Sequence, residues 1–151
     1  MVEPIRKQID VACEPQTAFT ILTENIAGWW PLDGHSVSAM NGGVAKSVVL
    51  EPQVGGKVYE IGPDDEIIPW GSVRVFEPGS QLVLAWHIGK PEAEATEVEF
   101  AFTALPGGKT RVELEHRGWD ETAEGIQDYR DRYNQGWVRV FETCYRAACS
   151  A

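Results

Sequence analysis

His116 is the residue in this sequence that is best suited to acid–base chemistry. It shares strand parity with Val112 and Leu114, so the alternation places its side chain on the apolar face of a predicted strand. A buried imidazole can serve as an acid, a base or a hydrogen-bond donor to a ligand near neutral pH. The alternative is a structural histidine, hydrogen-bonded within the core, that guides the chain into Gly118 and Trp119. Sequence patterns favour the structural role, and His116 is the catalytic candidate only if the protein is an enzyme.

Aromatic side chains form the second group of candidates, because they either fill a core or line a ligand pocket. The sequence contains six tryptophans, and packing is the commoner role for each of them, above all for Trp86. Trp30 precedes a polar, glycine-rich segment, and three aromatic residues recur at steps of four near the C-terminus. The predicted ligand-binding residues are Trp30, Trp70, Phe100, His116, Tyr129, Tyr133 and Trp137.

Signatures of other chemistries are missing from the sequence. There is no nucleophile elbow, phosphate loop, dinucleotide fingerprint or zinc-protease helix. The three cysteines have neither zinc-ligand spacing nor the pattern of a disulfide framework, and Cys13 is expected to be an inert thiol. The acidic run at residues 64–66 lacks the ordered spacing of a calcium loop and predicts a solvated turn. We therefore predict no metal site and no cofactor.

The charge and hydropathy of the chain limit its partners. A formal net charge of −10 over 151 residues argues against nucleic acid and anionic membranes, which bind clustered Lys and Arg. No run of 18 or more apolar residues occurs, and the first residues do not resemble a signal peptide. These patterns predict a cytoplasmic protein that does not insert into membranes.

The last part of the chain predicts one long amphipathic helix, from about Ala123 to Ala148. Apolar residues recur there at steps of three and four, the spacing that lays side chains along one face of an α-helix. These residues are Ile126, Tyr129, Tyr133, Trp137, Val140, Phe141, Cys144 and Ala148. We expect Tyr133 and Trp137 to form a pocket wall, and the next three apolar residues to anchor the helix in the core.

The remainder of the chain predicts strands joined by short turns. The predicted strands are Ile5 to Val11, Val44 to Leu50, Lys57 to Ile61, Ile67 to Phe76, Gln81 to His87, Thr96 to Ala104 and Thr110 to Arg117. Two short helices follow the first strand, beginning at Pro15 and Ile26, and residues 33–43 are predicted to be a mobile loop. Short connectors favour an antiparallel meander with one apolar face, and Pro69 suggests an edge or a bulge. We predict a single α+β domain over residues 1–151, with a curved antiparallel sheet of about seven strands around the C-terminal helix.

The order of these elements and several motifs resemble the START-like (SRPBCC) helix-grip superfamily, in the branch related to the activator of the heat-shock protein 90 ATPase. The motifs are Phe19 to Thr23 followed by Trp29-Trp30, Glu51-Pro52 with Gly55-Gly56, Trp70-Gly71-Ser72-Val73, Glu77-Pro78 before Leu82 to Trp86, Thr96 to Phe102, and Leu114 to Trp119 with Gly136-Trp137. The resemblance covers nearly the whole chain. One departure is the turn at residues 63–66, where this family often has an Asp-Gly pair.

The resemblance implies a cavity between the sheet and the terminal helix that binds a lipophilic small molecule. The leading hypothesis is therefore a binding module for a hydrophobic or amphipathic ligand. The alternatives are an enzyme of the polyketide cyclase or hydrolase sort that uses His116 in the cavity, and a protein-interaction domain like the co-chaperone. A chaperone partner is expected less than a small molecule, because the chain lacks the extra N-terminal domain of the activator. A homodimer could form through exposed strand edges and the region of Trp29 and Trp30.

Overall fold

The computed structural model describes residues 2–150 and contains one seven-stranded antiparallel sheet. The strands are β1 (Ile5–Val11), β2 (Ser47–Leu50), β3 (Lys57–Ile61), β4 (Ile67–Glu77), β5 (Gln81–Trp86), β6 (Thr96–Leu105) and β7 (Lys109–Arg117). Their order across the sheet is β1-β7-β6-β5-β4-β3-β2, so β2 to β7 form a meander and β1 pairs with β7. The predicted sheet is confirmed, with small shifts at strand ends. The largest shift is in β2, which begins at Ser47 rather than Val44.

The two faces of the sheet differ as the alternation predicts. On β6, Val98, Phe100 and Phe102 are buried against the helices. The opposite face carries ion pairs in which Arg117 contacts the carboxylates of Glu97, Glu99 and Glu115 at 2.7–3.0 Å. Because this face is charged and the other is apolar, only the inner face can provide the core and a hydrophobic site.

The bulge suggested by Pro69 is present between β3 and β4. Pro69 pairs with Tyr59 and Gly71 pairs with Val58, so Trp70 is the extra residue on the bulged strand. Trp70 is fully buried, and its carbonyl accepts a hydrogen bond from the backbone N–H of His87. A Cβ atom at Gly71 would lie 1.9 Å from the carbonyl oxygen of Ala85, so only glycine fits this position.

Three short helical segments lie between β1 and β2. Helix α1 spans Pro15–Leu22, a 3₁₀ turn spans Ile26–Gly28, and helix α2 spans Val37–Met40. The first two match the predicted helices. Helix α2 lies within the segment predicted as a loop, and it begins where the side chain of Ser36 accepts a hydrogen bond from the N–H of Ala39. A four-residue helix is too short to produce a periodic pattern, so the sequence does not reveal it.

The terminal helix consists of α3 (Ile126–Trp137), a π-helical segment (Val138–Tyr145) and α4 (Arg146–Ala148). Its buried residues are Trp137, Val140, Phe141 and Tyr145, and Cys149 is buried directly after its end, whereas the predicted core residue Cys144 is only half-buried. The expectation for Cys144 was wrong because the i→i+5 hydrogen bonds of a π-helix shift the buried face by one residue. The Tyr145 hydroxyl donates to the carbonyl of Ala18 at 2.6 Å and so fixes the helix to α1.

None of the helices that the structure describes has both the length and the apolar character needed to cross a membrane.

Candidate functional site

A cavity of about 230 Å³ lies between the terminal helix, the end of β5 and the segment that contains α2. Its buried walls come from Trp30, Trp86, Ile88, Trp137 and Val140, with the half-buried Tyr129, Tyr133 and His35 beside them. Its mouth is bordered by the exposed residues Gly34, Met40 and Arg132. The walls are mostly aromatic and aliphatic, which is typical of sites that bind small organic molecules.

Packing between tryptophans fixes the deeper wall of the cavity. The ring of Trp30 contacts those of Trp70, Trp86 and Trp137 at centroid distances of 5.1, 5.8 and 6.2 Å. The indole N–H of Trp30 donates to the carbonyl of His35 at 2.8 Å. Tilted and edge-on pairs of aromatic rings at these distances stabilise the fold beyond the contribution from burying their apolar surface. This wall is therefore held in place before any ligand binds.

His116 lies behind this wall and does not line the cavity. Its Nδ1 accepts a hydrogen bond from the indole N–H of Trp137 at 3.1 Å. Its Nε2 lies 2.7 Å from Oγ1 of Thr96, which itself donates to the carbonyl of Trp86. Because Nδ1 accepts and the Thr96 proton is used elsewhere, the ring is neutral and carries its proton on Nε2. Both ring nitrogens are thus occupied, which leaves none free for proton transfer.

Burial lowers the pKa of His116 to about 3, so the native protein holds this imidazole neutral. The unfolded chain binds a proton at about pH 6.5, where an unperturbed histidine titrates. Native stability from this group is therefore complete above pH 6.5 and is lost as the pH falls towards 3.

We expect the stability difference between the wild type and His116→Asn to shrink by about 1.4 kcal/mol per pH unit below pH 6.5. Urea unfolding at intervals between pH 7 and pH 4.5 measures this difference. The asparagine variant corrects for every other titrating group, so a difference that stays constant over this range would contradict the neutral imidazole.

Tyr129 and Tyr133 place two phenols at the cavity, with ring centroids 5.3 Å apart. Burial raises the pKa of Tyr133 well above its ordinary value, and the neighbouring Tyr129 adds to this effect. Burial also raises the pKa of Tyr129. The Nζ atom of Lys90 lies 5.0 Å from the centroid of the Tyr129 ring, a cation–π contact near the mouth. Both phenols are therefore protonated at neutral pH and can donate hydrogen bonds to a ligand.

The carboxylate of Glu60 attaches the α2 wall of the cavity to the sheet. Glu60 is fully buried on β3, where it accepts hydrogen bonds from the N–H groups of Val37 and Ser38 at 2.6 and 2.9 Å. It also accepts from the Ser38 hydroxyl at 2.6 Å and from the Trp70 indole at 2.7 Å. Burial alone would raise the pKa of Glu60, but the four hydrogen bonds to its ionised form outweigh burial and lower it. Part of the segment 33–43, which was predicted to be a mobile loop, is therefore attached to the sheet by hydrogen bonds.

Cysteines and acidic groups lie apart from the cavity lining. Burial raises the pKa of the Cys13 thiol, in the direction expected of an inert cysteine, and raises that of Cys149 to about 12. Asp65, at the turn before β4, has a φ of 65° and pairs with Lys46 at 2.7 Å. Asp tolerates this left-handed conformation, which a glycine would otherwise supply. Within residues 2–150, no three acidic, histidine or cysteine side chains are arranged to hold a metal ion.

Sequence comparison assigns the chain to a family. The family model for activator of Hsp90 ATPase homolog 1-like proteins matches residues 12–143, which is most of the chain. The protein belongs to this family. The predicted START-like, helix-grip assignment is thereby confirmed. No curated protein has significant sequence similarity to the chain.

Several solved structures share the fold of this chain. The self-sacrificing resistance protein CalC from Micromonospora echinospora is 24% identical, with a TM-score of 0.70 over 97% of this chain and 93% of its own. The Aha1 dimer from Colwellia psychrerythraea is 17% identical, with a TM-score of 0.66 over 99% and 97% of the two chains. The anthrahydroquino-γ-pyrone synthase Txn09, solved as a complex, is 26% identical, with a TM-score of 0.59 over 92% and 86%. At these identities, the first two likenesses show the fold alone.

The structure brings four of the seven predicted ligand-binding residues to the cavity. Trp30, Tyr129, Tyr133 and Trp137 line it. Trp70 is packed behind Trp30 and bonded to Glu60. Phe100 contacts Trp137 and Phe141 at about 6 Å between centroids and faces a gap of only about 10 Å³. His116 supports Trp137 from behind.

Sequence reasoning missed several residues that line the cavity. Trp86 was expected to be core, and it is both buried and part of the cavity wall. Gly136 carried a usable signal, because a glycine inside a helix often marks a close approach. A Cβ atom there would lie 3.5 Å from Cε1 of His35. Met40 and Arg132 carried no comparable signal, because their location at the mouth depends on how α2 and α3 pack.

Proposed function

We propose that the protein binds a small hydrophobic or amphipathic molecule in the cavity beneath the terminal helix. The observation that carries this proposal is the cavity itself, which has an aromatic and aliphatic wall and a mouth at the surface. An engineered cavity of about 150 Å³ in another protein holds benzene, so a space of about 230 Å³ fits roughly ten non-hydrogen atoms. This size suits a fused bicyclic ring, with any longer tail leaving through the mouth.

Two further observations support a small-molecule ligand. The tryptophans of the wall are held by contacts with one another, so binding need not order them first. Txn09, which is 26% identical, is by its name a synthase of an anthrahydroquino-γ-pyrone. A ligand with fused rings is consistent with both observations.

The enzyme hypothesis based on His116 has less support. The imidazole lies behind Trp137, and both of its nitrogens are engaged by Trp137 and Thr96. Proton transfer to a molecule in the cavity requires a group within hydrogen-bond reach of it. The polar side chains at the cavity are instead His35, Tyr129, Arg132 and Tyr133, which can hydrogen-bond a ligand.

A homodimer and a chaperone partner stay predictions. The neighbour from Colwellia psychrerythraea is described as a dimer, and for this chain the strand edges of β1 and β2 are the surfaces we would test first. Trp30 is buried, and the Trp29 indole donates to the carbonyl of Ile21, so this pair is packed into the fold. Size-exclusion chromatography with light scattering measures the oligomeric state directly.

Filling the cavity from the helix side tests the proposed function. We expect Gly136→Leu to weaken the binding of tetralin, a ten-carbon fused bicycle, by at least about tenfold, because the new side chain takes up volume that the ligand needs. The exposed neighbour Gln135 supplies the control, because Gln135→Leu adds the same side chain on the solvent side. Titration followed by tryptophan fluorescence measures binding, and thermal melts show that both variants are folded.

Native mass spectrometry of the purified wild type provides an independent test. A co-purified small molecule that is absent from Gly136→Leu would support the proposal. Equal binding of tetralin by the wild type and Gly136→Leu, or no binding by the wild type, would contradict it.

A further inference from the structure

Trp86 differs from the other tryptophans in its hydrogen bonding. Its side chain is 3% exposed, and its Nε1 is buried without a hydrogen-bond partner among residues 2–150. The other indole N–H groups all donate, those of Trp29, Trp30, Trp70 and Trp119 to oxygen atoms and that of Trp137 to His116. Buried polar groups are almost always paired in native proteins, so this unpaired donor requires an explanation.

The location of Trp86 supplies that explanation. Trp86 is a wall residue of the cavity, between Trp30 and Trp137. The Tyr133 phenol, which lines the same cavity, is close enough to interact with this N–H, but the two groups do not form a hydrogen bond. Because Nε1 itself has almost no accessible surface, a molecule in the cavity must displace the Tyr133 phenol to bring an acceptor atom to this donor, which the fold leaves unpaired.

The other polar groups at the cavity favour the same ligand chemistry. An indole N–H can only donate, and a guanidinium can only donate. Arg132 borders the mouth, Tyr129 and Tyr133 offer two hydroxyls, and the His35 imidazole adds one donor and one acceptor nitrogen. The cavity thus presents mainly donors inside an apolar wall, which suits a flat apolar molecule that carries an acceptor oxygen.

We propose that the ligand is a fused-ring molecule with a carbonyl oxygen that accepts a hydrogen bond from Nε1 of Trp86. This proposal rests on the proposed function and adds the ligand's chemical class and the residue that selects it. Trp86 acts here as a specificity-determining residue, because an isosteric hydrocarbon leaves its N–H unpaired and a ketone does not.

The test compares 1-tetralone with tetralin, which differ in one carbonyl oxygen. We expect 1-tetralone to bind about fivefold to tenfold more tightly, the effect of one net hydrogen bond. In ¹H–¹⁵N spectra of the full chain, the Trp86 indole resonance is assigned by its loss in Trp86→Phe. It should move to higher proton frequency with 1-tetralone and much less with tetralin, as expected for a newly formed hydrogen bond.

Variants complete the experiment. Trp86→Phe removes the donor, and the ratio of the two affinities should fall to about one, because any change in packing affects both probes alike. Trp29→Phe is the matched control, since Trp29 lies outside the cavity lining, and it should keep the wild-type ratio.

The outcomes separate this inference from the proposed function. If both probes bind equally and the Trp86 resonance does not distinguish them, the carbonyl preference is wrong and the hydrophobic site stands. If neither probe binds the wild type, the proposed function fails and this inference fails with it. If Trp86→Phe does not fold, the wild-type affinity ratio alone decides, and equal affinities for the two probes contradict the carbonyl preference.

Discussion

Replacing Glu60 with glutamine is expected to lower the free energy of unfolding by about 3 kcal/mol. The carboxylate accepts four hydrogen bonds, and all four donors lie in or next to the buried core. An amide has one acceptor oxygen and presents an NH₂ group where the second oxygen stood, so it meets donors with a donor. At least one buried N–H or O–H loses its partner, and the charge that strengthened all four bonds is removed.

Chemical denaturation at neutral pH measures this loss, and Glu113→Gln on the exposed face of β7 is the control. That substitution removes the same charge from the surface and should change stability by less than about 0.5 kcal/mol. Because Glu60 holds α2 against the sheet, tetralin binding should also weaken in Glu60→Gln. A loss no larger than that of the control would show that the carboxylate does not hold α2.

Replacing His116 with alanine is expected to cost about 4 kcal/mol, the largest single effect we foresee. The side chain is fully buried and packs against the rings of Trp119 and Tyr133 at 4.3 and 4.9 Å between centroids. Its removal creates a hole, leaves the indole N–H of Trp137 without its acceptor, and takes from the Thr96 hydroxyl the N–H from which it accepts a hydrogen bond. The cavity wall formed by Trp137 then loses its support from behind.

His116→Asn separates the hydrogen bonds from the volume. Its amide oxygen can take the place of Nδ1 as the acceptor for Trp137, so we expect it to lose about half as much stability as the alanine variant. Denaturation curves for both variants at pH 7.5 measure the losses, and tetralin titrations measure the effect on the cavity. An alanine variant that retains wild-type stability and binding would show that His116 does not position Trp137.

Much of the fold could be predicted from sequence because its signals are local. Alternation along β6 and β7 separates Phe100 and Leu114 from the glutamates, and short turns rich in glycine, proline and aspartate enforce antiparallel neighbours. The bulge at Pro69 also follows from a local rule, since proline cannot join a regular ladder. Helix α2 could not be predicted, because its N–H groups depend on the distant carboxylate of Glu60.

The candidate site was less predictable, because a cavity is defined by tertiary packing. Helical periodicity placed Tyr129, Tyr133 and Trp137 on one face, and all three reach the cavity. The same reasoning could not tell which tryptophan would stay unpaired. All six have the same chemistry, and the difference between Trp86 and Trp70 depends on whether an acceptor such as Glu60 lies opposite.

The π-helical segment has a consequence for how related proteins can diverge. Trp137, Phe141, Tyr145 and Cys149 are buried at steps of four, although an α-helix would rotate each step by about 40°. The wider π turns cancel this rotation, so the half of the helix that lines the cavity and the half that anchors it face the same way. Losing one residue between Val138 and Tyr145 would let the wide turns close to α-helical ones with little rotation of one half relative to the other, because a π turn is an α turn that holds an extra residue. A relative could therefore lose a residue in this segment and still present the same face of α3 to its ligand and the same face of the last turns to the core.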